Sequence, residues 1–110
     1  MVSRTRFVAE SDGQAVGMAS VGEAGHGTAG SLTSLWVHPR VRGKGVGDIL
    51  ILASVESARA AGYDELLLWV TEKNTHAERL YERHGFQRTG ATQPIRPGDD
   101  RLEYEMTLSL

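Results

Sequence analysis

A mixed-sheet α/β (α+β) domain is predicted by three features of the 110-residue sequence. An Asp12-Gly13 turn between two extended runs marks a β-hairpin near the start. A strand, helix, strand order follows over Ser31 to Val37, Val46 to Ala61 and Leu66 to Val70, which reads as one right-handed crossover unit. At the end, Leu102, Tyr104, Met106, Leu108 and Leu110 alternate with polar residues, the period of a half-buried strand.

Arg4 to Ala9 and Gln14 to Val21 are the two arms of the hairpin. Four glycines between Gly22 and Gly30 predict a mobile loop. The strand Ser31 to Val37 stops before Pro39, because a proline holds His38 extended and cannot donate to a ladder. Val46 to Ala61 is the strongest helix, closed by Gly62, and apolar residues nearly all round its first half predict deep burial. Leu66 to Val70 is an apolar pentamer suited to a strand covered on both faces. Thr75 to His84 forms a second helix stopped by Gly85, Phe86 to Ala91 a further strand, and Pro94, Pro97 and Gly98 a loop. Without repeat, linker or low-complexity segment, residues 1–110 read as a single domain.

Composition narrows the function. No cysteine is present, which excludes disulfides, thiolate metal clusters and a cysteine nucleophile. No metal site is expected. Twelve basic against 14 acidic residues give a formal charge of -2, which gives no support to nucleic-acid binding. The longest apolar runs have five residues, far below the roughly 18 of a membrane span, and no signal-peptide pattern opens the chain, so a cytoplasmic protein is expected.

The chemistry concentrates in Val41-Arg42-Gly43-Lys44-Gly45-Val46-Gly47-Asp48, between a strand and the best helix. Glycines there let the backbone coil around an anion, amides and the helix N-terminus point at it, and Arg42 and Lys44 add positive charge. The spacing matches neither a Walker A loop nor the Rossmann fingerprint.

Arg42-x-x-Gly45-x-Gly47, preceded by Val37-His38-Pro39, resembles the pyrophosphate motif of the GNAT superfamily of acetyl-CoA-dependent N-acetyltransferases. Asn74, Ala77, Leu80, Tyr81, Gly85 and Phe86 fall where that family commonly has N-x-x-A-x-x-L-Y-x-x-x-G-F. The resemblance spans roughly Asp12 to Leu110 and implies a GNAT-like fold with acetyl-CoA as cofactor. It further implies that two neighbouring strands splay and that Leu35, Trp36 and Val37 offer backbone bonds to the pantetheine arm. The amides of Gly43, Lys44, Gly45, Val46 and Gly47, with Arg42 nearby, would hold the pyrophosphate, and Asn74 would touch the arm.

Tyr81, two helical turns after Asn74, is the implied general acid for the departing thiolate. With an ordinary phenol pKa, the transfer to a thiolate is uphill by roughly 1.5 units. The general base stays open: Ser31 stands where many members have a carboxylate, and Glu23, His26 or water are the alternatives. His38, His76 and His84 read as structural or exposed, and Trp36 and Trp69 as packing residues.

Against the family pattern, the strand and two helices usual at the start are lacking, which implies either an upstream segment missing from this chain or an acceptor site completed by another subunit; a shortened domain and a homodimer whose partner covers part of the acceptor side are expected. The implied reaction is direct transfer of acetyl to a primary amine, a small molecule in preference to a basic protein tail. A non-catalytic acyl-CoA-binding module is the rival reading.

Overall fold

The computed structural model describes residues 4–25 and 27–110. In chain order these form β1 (Arg4–Ser11), β2 (Gln14–Glu23), β3 (Ala29–Val37), a 3-10 turn (Pro39–Val41), α1 (Val46–Ala60), β4 (Glu65–Thr71), α2 (Thr75–Arg83), β5 (Gln87–Pro94) and β6 (Leu102–Ser109). The six strands make one sheet in the order β1-β2-β3-β4-β6-β5. Every neighbouring pair is antiparallel except β3 and β4.

Both helices cover the same face. Leu50, Ile51, Val55 and Ala58 of α1 and Tyr81 of α2 form one cluster with Ala19, Val21, Leu32, Leu66, Leu68, Val70 and Met106 of the strands. The alternation of side chains along a strand places Ser20, Gly22, Ser31, Thr33, Trp69 and Glu105 on the other face, which neither helix covers. The expected deep burial of α1 is therefore corrected. A single covered side leaves its outward residues in water, with Ile49 63% and Leu52 56% exposed.

The glycine-rich loop is also shorter than its composition suggests, because β2 runs to Glu23 and β3 begins at Ala29. Gly22 and Gly30 are strand residues whose missing Cβ makes room for neighbours. A Cβ at Gly30 would lie 2.7 Å from the Tyr63 ring, and one at Gly22 equally close to the Arg4 side chain. Farther along, α2 ends at Arg83, Phe86 is a core residue ahead of β5, and Pro94 closes that edge strand. Pro94 fits there because its missing N–H faces no neighbour.

Candidate active site

The site begins where the sheet comes apart. Strands β3 and β4 pair in parallel only at Ala29 with Glu65, Gly30 with Leu66 and Ser31 with Leu67. Beyond Ser31 a bulge sets Ser34 and Leu35 opposite the single residue Ala19, with Ser34 in the left-handed region at φ 59°. A bulge bends and twists its strand, and here it turns β3 away from β4. The wedge between them has a volume of about 310 Å³ and is lined by Thr33, Ser34, Leu35, Trp69, Thr71 and Tyr81 among others. Backbone groups of both strands face it without a partner strand.

A second depression of about 460 Å³ runs from the end of β3 over the start of α1 to α2. Leu35, Trp36, Val37, Arg42, Gly43, Gly45, Val46 and Gly47 all line it. Lys44 is exposed and is not among the residues that line it. Its amide is taken by the Val41 carbonyl at 3.3 Å. Gly43 and Gly45 adopt φ of 78° and 83°, which a residue with a Cβ rarely does. Among the described residues, no hydrogen bond takes up the amides of Gly43, Gly45, Val46 and Gly47. Gly47 is helical and serves packing instead, since a Cβ there would sit 3.0 Å from Leu80 Cδ2. Trp36 is corrected from packing residue to rim residue: it is 43% exposed and meets His38 edge-on at 5.8 Å.

Leu35, Asn74, Ala77 and Tyr81 line both spaces, so the wedge and the depression join along one face of α2. Asn74 Oδ1 accepts from the Ala77 amide at 3.2 Å and caps α2, leaving its side-chain NH₂ as the free group. The Tyr81 ring is buried against Phe86 at 5.9 Å between centroids. Its hydroxyl makes no hydrogen bond, yet no buried polar side-chain atom among the described residues lacks a partner, so the hydroxyl reaches the open space. Burial pushes the Tyr81 hydroxyl up to about 12, which enlarges the uphill step reckoned from an ordinary phenol.

Two networks hold α2 in place. Asp48 of α1 accepts from Arg83 at 3.0 Å and meets His84 Nε2 at 2.6 Å. The hydrogen bond to His84, then that to Arg83, keeps its carboxyl below the usual range. On the other flank, Glu78 accepts from Arg88 at 2.6 Å and from the Tyr104 hydroxyl at 3.2 Å, and Arg88 stacks over the Tyr104 ring at 4.1 Å. Neither network was visible in the sequence, since each joins residues on separate elements. His38 accepts from the Arg40 amide at 3.1 Å and His76 is exposed on the rim.

Among the described residues, no carboxylate or imidazole lines the wedge. Ser31 lies at its closed end, Glu23 is exposed away from both spaces, and His26 is outside the described residues. Among the described residues, no three His, Cys, Asp or Glu side chains gather as a metal set, and no helix is long and apolar enough to cross a membrane.

Comparison with known proteins fits this geometry. The acetyltransferase (GNAT) family model matches residues 2–86. The mycothiol acetyltransferase of Thermobispora bispora is 39% identical over 87 residues, 74% of this chain and 30% of its own length. The streptothricin acetyltransferase of Streptomyces lavendulae is 32% identical over 87% of this chain and 51% of its own. This chain thus spans between about a third and a half of these relatives. Among solved structures, nourseothricin acetyltransferase superposes with a TM-score of 0.88 at 30% identity, covering 96% of this chain and 65% of that one. The yncA acetyltransferase of Salmonella typhimurium, solved with its cofactor acetyl-CoA, gives 0.82 at 27% identity, covering 96% and 64%. With the family model matched over residues 2–86, the chain belongs to the GNAT acetyltransferase family.

Proposed function

We propose that this chain, as one domain over residues 1–110, is an acetyl-CoA-dependent N-acetyltransferase acting on a primary amine of a small molecule. The observation that carries the reading is the meeting of the wedge and the glycine-lined depression at the open hydroxyl of Tyr81. The residues present fit the cofactor: the free amides of Gly43, Gly45, Val46 and Gly47 and the Arg42 side chain, unpaired among the described residues, suit a pyrophosphate, and the unpaired strand edges suit the two amides of a pantetheine arm. When bound, acetyl-CoA supplies an acetyl group activated as a thioester.

In this assignment Leu35, Trp36 and Val37 align the arm through their backbone, and the Asn74 NH₂ steadies it. Tyr81 holds a proton at its Oη and donates it toward the sulfur that leaves. The acceptor amine arrives in the wedge among Thr33, Ser34 and Thr71, where burial of the reacting atoms favours its neutral form. With no side-chain base among the described residues of the lining, its proton departs to solvent in this reading.

The relatives' names, mycothiol and streptothricin acetyltransferase, support a small-molecule acceptor. A cytoplasmic place is part of the same reading. So is a homodimer, supported by the outer edge of β1, which no strand among the described residues pairs; light scattering at micromolar concentration tests it, and a monomer refutes it. A thiol-release assay with acetyl-CoA and a panel of amines, run beside CoA calorimetry, tests the activity. Release that depends on an amine is expected; CoA binding without turnover on any amine overturns catalysis and leaves a binding module.

A further inference from the structure

The face of the sheet that the helices leave open carries an arginine whose placement has no structural counter-charge. Arg4 leaves β1, crosses β2 and ends on β3. Its Nε donates to Ser20 Oγ at 3.1 Å, and its Nη2 donates to the Ser31 carbonyl at 3.1 Å and to Thr33 Oγ1 at 2.7 Å. Gly22 lies beneath it, and a Cβ there would come within 2.7 Å of Nη1. Three strands thus hold one guanidinium flat and fixed.

All of these partners are neutral oxygens. Among the described residues no carboxylate forms an ion pair with Arg4, and Met1, Val2, Ser3 and His26, outside the description, carry none. A guanidinium has five N–H donors; three are engaged here and the two on Nη1 remain. Thr33, bonded to Arg4, lines the wedge, so the free charge stands at the rim of the reaction space. The depression that suits the cofactor is lined by residues of both helices, and the acceptor is assigned here to the opposite face of the sheet.

Resting on the acetyltransferase reading, we propose that Arg4 is a specificity residue that receives a carboxylate of the acceptor, so that the preferred amines carry an acid group as well. A preorganised, uncompensated guanidinium with two spare donors is suited to a carboxylate, and its ordering cost is already met by the strands. A purely structural staple would leave the acceptor's charge without influence.

L-lysine and cadaverine, which differ by the carboxylate, separate the two roles. The wild type is expected to favour lysine in kcat/KM, and Arg4→Gln to reduce the lysine-to-cadaverine ratio by about ten- to a hundredfold through KM. Arg4→Lys, which keeps charge without the fork, should recover part of the ratio. A ratio near one in the wild type, or one unchanged by Arg4→Gln, overturns the proposal. A second measurement needs no turnover. Titration of acetate against chloride at equal ionic strength, followed by NMR at the Arg4 Nε–H, should move that resonance with acetate alone. If it does not move, the carboxylate site is wrong even where amines are acetylated; if it moves while no amine reacts, only the catalytic reading fails.

Discussion

Burial makes Tyr81 a far weaker acid than a free phenol. Its hydroxyl, pushed up to about 12, stays protonated throughout the working pH range. Against a thiol near pKa 8.5 the full transfer is uphill by roughly 3.5 units, so its main service is a hydrogen bond that strengthens as charge develops on sulfur. Tyr81→Phe is expected to lower kcat by about ten- to a thousandfold with CoA affinity retained, measured by steady-state kinetics and calorimetry. Gly45 gives a second expectation at this scale. A valine at φ 83° is strained, and its branches would occupy the space in front of the free amides. Gly45→Val should weaken CoA binding by more than about tenfold while also lowering the melting temperature. The glycine cradle and Tyr81 were legible because each rests on local spacing. Arg4 and Gly22 were not, because a side chain crossing two strands leaves no trace in the spacing of one.

At the scale of elements, α2 spans only Thr75–Arg83, too short to be stable alone, and depends on its anchors. The Asn74 cap fixes its start, Glu78 its middle through Arg88, and the Asp48 contacts with Arg83 and His84 its end. Since the folded state depresses the Asp48 carboxyl, that contact contributes stability above the ordinary carboxylate pKa and loses it as pH falls through the folded value. Asp48→Asn is therefore expected to lower the melting temperature at pH 7 and to flatten its decline below about pH 4, read by thermal scans across acid pH. Hairpin, helices and last strand follow from turn dipeptides and periodicity, so their positions were readable. The exposed side of α1 is not legible there, because apolar content does not say how many neighbours a helix has. Nor are the strand roles of Gly22 and Gly30, because crowding by Arg4 and Tyr63 is a tertiary fact.

For the whole molecule, the proposed activity leaves deprotonation to the acceptor's own acidity, since no acid or imidazole among the described residues lines the wedge. The rise of kcat/KM with pH is expected to track the acceptor, moving to lower pH with an amine of lower pKa. A midpoint that stays put across acceptors would reveal a base supplied by the protein.

The three pairs that join β3 to β4 also bear on how the molecule comes together from its parts. Strands β1, β2 and β3 with α1 come wholly from the residues before Gly62, and β4, α2, β5 and β6 wholly from those after it. Each piece pairs its own three strands antiparallel, β1-β2-β3 in chain order and β4-β6-β5 with α2 between β4 and β5, and the seam between them contains the wedge. The chain is in effect two modules written one after the other. Cut at the exposed turn around Gly62, the fragments are expected to reassemble when produced together, and reassembly should be promoted by CoA, a ligand that would touch both. Co-purification of an untagged fragment with its tagged complement, with and without CoA, reads this directly. The same seam that opens a reaction space would then serve as a joint at which one polypeptide can be made as two.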